Sequence, residues 1–390
     1  MSNTSGGNLL IVHGGGPTAV INASLYGAIE EAKIHREITG IYGATGGIEG
    51  ILKEGLIDLR QQPDSSLRRL PFTPASAIGT SRTRLSETDY ETILANLLKK
   101  KIKYLLFNGG NGSMDTCGKI FRLAREHDIR VLGIPKTVDN DIAVTDHSPG
   151  FGSAARFIAA TTAEVAQDVK SMPIHVCIIE AMGRNAGWIT AASALAQKKS
   201  DDAPHLIYVP ERAFDSEAFL EDVQERHKEY GGVVVVVSEG IKDSQGNSVV
   251  PPLMTKGRDV YFGDVGTHLA MLVIKELGIK ARSEKPGIIG RASIAYQSSR
   301  DREEAILAGA YSVQAALQGE TGKMVGFKRI SNQPYQCEPM LIPLEEVMMH
   351  EKKLPNQYIN ERGNGVTPEF IEYCRPLIGE PLLTFSNLLF

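Results

Sequence analysis

Cysteine is scarce: Cys117, Cys177, Cys337 and Cys374 are the four in 390 residues, and no two form a C-x-x-C pair. That spacing argues against a disulfide framework or a cysteine zinc site. No run approaches 18 apolar residues, and no basic N-terminal segment precedes a long apolar core, so neither a membrane span nor a secretory leader is expected. Excess charge of one sign is missing as well, since 42 Lys and Arg against 46 Asp and Glu leave a formal net charge of −4. Nothing in that balance draws nucleic acid or an anionic membrane to the protein as a whole, and a phosphate ligand needs a local site. No internal repeat or low-complexity segment is visible. What remains is an ordinary globular composition, 42% hydrophobic and 23% charged, expected in a reducing cytoplasm. The length is large for one hydrophobic core, which points to two lobes or one large α/β domain.

Short apolar runs followed by glycine-rich turns recur along the chain. Residues 1–7 read as a disordered polar lead-in. Residues 9–12 read as a buried strand, then Gly14-Gly15-Gly16-Pro17-Thr18, then a helix over 19–33. Strand, glycine turn and helix together bring backbone N–H groups and a helix N-terminus to an anion, although glycines also simply make tight turns. Residues 41–44 form another strand, and Arg82 follows the small residues Gly79-Thr80-Ser81. A helix over 87–101 carries Ile93, Leu94, Leu97 and Leu98 on one face. The strand at 104–107 opens into Asn108-Gly109-Gly110-Asn111-Gly112-Ser113, with a helix from about Met114. Residues 154–170 form a long helix, and 174–179 a strand ending at Met182-Gly183-Arg184, where an arginine between glycines can fork onto phosphate oxygens or simply lie on a surface turn. Trp188 is read as core. Five successive valines, 233–237, signal a strand buried on both faces of a parallel sheet, followed by Glu239-Gly240. Residues 242–257 suit a surface excursion or hairpin, and a helix spans about 266–277. Arg282 and Arg291 flank an expected strand, 303–318 forms an amphipathic helix, and the stretch 358–365 closes the ordered part.

The loop after strand 131–134 is the chemical centre: Pro135-Lys136-Thr137-Val138-Asp139-Asn140-Asp141. Ligands of open α/β sheets bind at such strand ends. Two carboxylates with a lysine and a hydroxyl supply an acceptor for an alcohol proton, a ligand for Mg²⁺ and a fixed cation, which are the parts phosphoryl transfer needs. Asp and Asn also form ordinary solvated turns, and it is the company of two further glycine loops that favours the chemical reading.

Taken in order, Gly15-Gly16, Gly109-Gly110-x-Gly112-Ser113, Pro135-Lys136-Thr137-x-Asp139-Asn140-Asp141, Met182-Gly183-Arg184 and Glu239-Gly240 resemble the phosphofructokinase family over about residues 9–378. Residues 17–22, Lys136, 149–152 and 185–188 look most like its diphosphate-using branch. The resemblance implies two Rossmann-like α/β lobes with mainly parallel sheets covered by helices and the active site in the cleft between them. It implies a donor-phosphate lobe at 1–145 with part of the C-terminal region, a sugar-phosphate lobe at 146–310, and C-terminal helices and a tail at 311–390. It further implies an Mg²⁺-dependent transfer from ATP or diphosphate to the C1 hydroxyl of fructose 6-phosphate, in a homodimer or homotetramer. Asp139 would be the general base, and Thr137 and Asp141 would hold the sugar and the metal side. Lys136 would sit on the transferred group. Met182, Gly183, Arg184 and Glu239 would line the sugar, and Arg282 and Arg291 would bind its 6-phosphate. Gly15, Arg82, Asn111, Gly112 and Ser113 would lie along the donor, with Asn111 and Asp141 on the metal.

Several positions depart from that pattern. Asn111 replaces a usual aspartate and is a poorer Mg²⁺ ligand. Gly112 leaves open the space that diphosphate users commonly fill, which favours ATP, while Lys136 matches diphosphate users. Ile288 stands where His or Tyr is usual, and His175 where ATP users often have Arg, so a different sugar or sugar phosphate is an alternative acceptor. With Asn111 in mind, a catalytically silent phosphate-binding protein is a further alternative.

Overall fold

The computed structural model describes residues 6–199, 201–256 and 259–386. Residues 1–5 of the expected lead-in and Gly257 of the expected excursion lie outside the described residues. The chain forms β1 (Gly7–His13), β2 (Ile38–Ala44), β3 (Leu56–Asp58), β4 (Ile102–Gly109), β5 (Arg130–Pro135), β6 (His175–Ala181), β7 (Leu206–Tyr208), β8 (Val233–Ser238), β9 (Pro252–Lys256), β10 (Asp259–Phe262), β11 (Lys280–Glu284), β12 (Lys323–Asn332) and β13 (Tyr335–Pro343). Two compact units result, Met1–Ser153 with Arg291–Lys352, and Ala154–Gly290 with Lys353–Phe390. Among the described residues no helix is long and apolar enough to cross a membrane.

The first unit holds a sheet in the order β13-β12-β5-β4-β1-β2-β3. Its five inner strands are parallel, and β3 and β13 run antiparallel at the edges. Leu9, Leu10, Ile11 and Val12 are all but completely buried, because helices cover both faces and every side chain of β1 needs an apolar neighbour. From β1 the chain runs outward through β2 and β3, then returns to the other side of β1 as β4 and β5. The strand order therefore reverses between β1 and β4, and the carboxyl ends on either side of that reversal carry the first two glycine turns. Such a switch point is where an open α/β sheet leaves a crevice for a ligand.

The second unit holds an all-parallel sheet, β11-β6-β8-β7, and a separate antiparallel ribbon, β9-β10. Val233 to Val237 are fully buried, and Trp188 is core at 2% exposure.

Several expectations are corrected. The helix expected over 87–101 is Glu87–Lys99, capped by Ser86 and Asp89; Ile93 and Leu97 point inward, while Leu98 is exposed and outside the stripe. The helix expected from Met114 opens at Asn111, and that expected over 154–170 runs Phe151–Ser171. The strand expected between Arg282 and Arg291 is instead β11, which contains Arg282, whereas Arg291 sits in the helical turn Ile289–Ala292. Order does not close at 365, since the helix Pro368–Cys374 buries Phe370 and Cys374. The region 311–390, expected as helices and tail, contributes the hairpin β12-β13, because Met324 to Phe327 find apolar cover beside β5.

The two units divide at 153 and 290 rather than at 145 and 310. The reason is the helix Ser299–Leu317, which packs closely on the helix Ile21–Lys33 of the first unit. A Cβ at Gly27 would lie 2.0 Å from the Ile306 carbonyl oxygen, and one at Gly309 would lie 2.0 Å from that of Ser24. Neither clash can be relieved by turning a side chain. Gly27→Ala and Gly309→Ala are each expected to destabilise the fold by about 1–3 kcal/mol, the usual penalty of overpacking, measured as a lowered urea midpoint. A midpoint unchanged in both would mean that the helices separate without penalty.

Candidate active site

In the first unit the carboxyl ends of β1, β4 and β5 are sewn together by backbone hydrogen bonds. Gly14 N–H donates to Asn108 O at 2.9 Å, and Lys136 N–H donates to Gly109 O at 3.1 Å. Gly15 takes φ +77°, a left-handed conformation that glycine adopts without strain. Its N–H donates to Ser81 O, and Thr80 Oγ1 donates to Gly15 O at 2.8 Å. Pairing with the 79–82 segment brings Arg82 to the turn. A Cβ at Gly16 would stand 2.9 Å from Arg291 Nη1 and 3.1 Å from Arg82 Nη2, so both guanidinium groups reach the same backbone. Ser113, in the first turn of the Asn111–Ala124 helix, directs Oγ toward Gly14 and Gly109. Nothing lies within 4 Å of where a Cβ at Gly112 would be.

Lys136 is buried, and its Nζ donates to Gly16 O at 2.6 Å. Burial is the main influence and holds its pKa down to about 8; Asp139 and Asp141 pull the other way, while Arg82 and Arg291 add to the lowering. The charge of this one ammonium is thus coupled to four other predicted side chains. Asp139 is half-buried, and its N–H donates to Thr137 Oγ1 at 3.1 Å. Thr137 N–H in turn donates to Pro149 O, which ties the front of the loop to its back. Asn140 holds φ +53° and its Oδ1 accepts from Ser148 N–H at 3.1 Å.

A divalent cation fits the acidic end of this loop. Asn111 Nδ2 donates to Asp141 Oδ2 at 2.9 Å and to Asp141 O at 3.2 Å. That leaves Asp141 Oδ1 and Asn111 Oδ1 buried without a protein hydrogen bond. Two unpaired hard oxygens are the kind of donor set Mg²⁺ takes, with the rest of its shell from water and phosphate.

The second unit gathers the other predicted residues. The turns after β6 and β8 interlock: Ser238 Oγ donates to Gly183 O at 2.6 Å, and Gly183, at φ +119°, faces Glu239. A Cβ at Gly240 would overlap the Arg184 carbonyl, so only glycine fits. Arg184 is exposed, with Nε 4.0 Å from Glu239 Oε1. Met182, Gly183, Arg184 and Glu239 therefore form one strand-end cluster. Arg282 lies elsewhere in the unit, opposite Cys177 in the β11-β6 register. It lines a recess of about 410 Å³ with His175 and Lys285, and His175 Nε2 is buried without a partner. Arg291, expected with Arg282 on one phosphate, reaches Gly16 beside Arg82 in the first unit, and Arg282 belongs to the second.

Sequence reasoning passed over His13 and Lys285. His13 ends β1, hydrogen-bonds Ser76 Oγ at 2.7 Å, and is kept neutral by burial and then by Lys136, its pKa lowered to about 3. Its place immediately before the glycine turn was the available signal. Lys285 pairs with Glu180 and Asp264.

A parallel α/β sheet whose switch-point loops carry a buried lysine, paired acids and two arginines defines an enzyme of the phosphotransferase class. The chain belongs to the phosphofructokinase family, which it matches over residues 8–316. It is 39% identical to a pyrophosphate–fructose 6-phosphate 1-phosphotransferase of Xanthomonas campestris pv. campestris over 98% of this chain and 94% of the relative. It is 34% identical to a sulfofructose kinase of Alkalicoccus urumqiensis, over 89% and 91% of the two chains. A crystal structure of a pyrophosphate-dependent phosphofructokinase from Marinobacter aquaeolei matches with a TM-score of 0.88 at 37% identity, over 98% of this chain and 94% of that one.

Proposed function

We propose that the protein transfers a phosphoryl group from ATP or diphosphate to the C1 hydroxyl of fructose 6-phosphate, giving fructose 1,6-bisphosphate, with Mg²⁺ as cofactor. The observation that carries this reading is the convergence of Lys136, Asp139, Asp141, Arg82 and Arg291 on the strand-end loops of one sheet. Asp139 takes the hydroxyl proton as the C1 oxygen attacks. Lys136 and Arg82 face the charge that gathers on the moving group, with Gly15 and Ser113 along the donor. In a loose transition state such positioning and charge stabilisation supply most of the rate. Asp141 and Asn111 hold the Mg²⁺, which neutralises donor phosphate charge when bound. Thr137, Met182, Gly183, Arg184 and Glu239 hold the sugar, and Arg282 and Arg291 its anionic end. The test is an assay with fructose 6-phosphate and Mg²⁺, with ATP and diphosphate supplied separately. No turnover with either sinks the reading and leaves a silent binding protein.

The open space at Gly112 favours ATP over diphosphate. Gly112→Asp is therefore expected to lower kcat/KM for ATP at least about 100-fold, as two like charges meet in a confined site, and to spare diphosphate use. An equal loss with both donors would show that Gly112 does not select the donor.

A second acceptor has a specific observation behind it. Ile288 is exposed and apolar, and the sulfofructose kinase relative makes a sulfonate-bearing fructose the competing substrate. Comparing kcat/KM for the two sugars decides between them. We further propose a cytoplasmic enzyme that forms a homodimer or homotetramer; the exposed Met271, Ile288 and Ile289 support the oligomer, and light scattering that returns a single 42.3 kDa chain would exclude it.

A further inference from the structure

The loop of Asp139 and Asp141 is backed by a buried charge network that the reaction itself does not use. It begins six residues after Asp141, at His147, whose side chain is 2% exposed. The ring stacks on Phe327, centroids 5.2 Å apart. Its Nδ1 lies 2.9 Å from Asp146 Oδ2 and its Nε2 lies 2.6 Å from Glu304 Oε2. A neutral imidazole has only one N–H, so a ring with a carboxylate oxygen at each nitrogen satisfies both only as imidazolium.

Each carboxylate is held in turn by a different element. Asp146 accepts from Arg329 Nη2 and Nε on β12, at 2.9 and 3.1 Å. Glu304 accepts from Tyr335 Oη on β13 at 2.6 Å. Lys352 Nζ donates to the carbonyls of Thr145 and Asp146, and its backbone N–H donates to Asp141 O at 2.7 Å. One helical turn before Glu304, Asp301 accepts from Gly150 N–H at 2.8 Å and from Ser153. Arg300 lies over the Tyr335 ring, and the Cys337 thiol also lies near the carboxylates. His147, Glu304 and Cys337 approach one another as metal ligands would. Both ring nitrogens and both Glu304 oxygens already have protein partners, however, which suits a proton-held network.

The loop needs such a brace. Between its two ends Asn140 and Val144 take φ +53° and +69°, and the second is a strained conformation for a β-branched residue. Its back, residues 147–150, touches its front directly through Ser148 to Asn140 and Pro149 to Thr137.

We propose that His147, clamped as an imidazolium between Asp146 and Glu304, is the positioning residue that holds the Asp139–Asp141 loop in its reactive geometry. The proposal rests on the reading of Asp139 as the base. Loss of the ring proton turns one N–H···O⁻ contact into a lone pair facing a carboxylate, so the brace fails at high pH. Burial opposes the charge, but Glu304 and Asp146 outweigh it and raise the pKa to about 9.

The wild-type protein gives the first test, by NMR with labelled histidine. Two protonated nitrogens on His147 at pH 7.5 are expected, together with backbone amide signals of Asp139 to Asp141 that titrate with the ring near pH 9 and not only with Lys136 near pH 8. A singly protonated ring, or loop signals that ignore its titration, overturns the proposal whether or not any variant folds. His147→Gln is expected to lower kcat about 100-fold, the effect of a displacement of about 1 Å in a catalytic group, with KM changed little. Glu304→Gln keeps the shape and removes the counter-charge, and should bring the alkaline limb of kcat/KM below the one near pH 8. A folded His147→Gln enzyme with normal kcat, or a Glu304→Gln profile that superimposes on the wild type, overturns it. An inactive wild type with a charged His147 would indict the proposed function instead.

Discussion

Asp139→Asn should leave a folded protein that turns over about 1,000-fold more slowly, within the range that loss of a positioned general base produces. The substitution keeps the shape of the side chain and removes its basicity, since an amide cannot take the alcohol proton. Asp139 is half-buried at the head of its loop, and its backbone N–H remains free to donate to Thr137 Oγ1 in the variant. The thermal midpoint should accordingly move by little. KM should change less than kcat, because proton acceptance matters as the C1 oxygen attacks and not while the sugar is being bound. Steady-state kinetics beside a thermal melt separates the two effects. Turnover within a few-fold of normal would remove Asp139 from the role of base. A large drop in kcat accompanied by an equally large loss of stability would assign it to holding the loop.

How far this site was legible in the sequence depends on how local each signal was. Residues 9–12 and 233–237 announced buried parallel strands because helices cover both of their faces, which leaves no polar alternation to read. The glycine turns were legible because left-handed backbone at Gly15 and the crowded turn at Gly240 admit almost nothing else. The hairpin at 323–343 was not. Its burial changes from continuous to alternating within one strand, and a mixed pattern of that kind carries no single period. Arg282 and Arg291 were placed on one phosphate by the family resemblance, and their spacing read alone suggested only a strand between them, because it does not say that the chain leaves one compact unit for another at 290. The clamp on His147 was out of reach altogether, because its partner Glu304 lies 157 residues further on. Contacts of that kind come from helix packing, here that of Ser299–Leu317 within the first unit, and leave no mark on local sequence.

Lys136→Met should have the other large effect, and its signature is a gain and a loss together. The ammonium is buried, donates to Gly16 O at 2.6 Å and lies 3.5 Å from where a Cβ of Gly15 would be. Under the proposed function it is fixed where donor phosphate would arrive. Removing a preorganised group that faces developing charge lowers kcat by about 100- to 1,000-fold. The same burial that makes the charge effective makes it unfavourable to fold around, which is why the pKa falls from 10.5 to about 8 against the pull of Asp139 and Asp141. Between pH 8 and 10.5 the unfolded chain binds the proton that the folded one has released, so wild-type stability rises with pH across this window from this group. Below pH 8 both states are charged, and the folded state carries the full penalty. Methionine carries none, so the variant should be the more stable protein at pH 7, with the difference closing above pH 8. In kcat/KM, which reports the free enzyme, the wild type should lose activity above about pH 8, and the variant's residual activity should lack that limb. A variant less stable than wild type at pH 7 that still shows the limb would mean that Lys136 is a structural strut and that another group meets the phosphate.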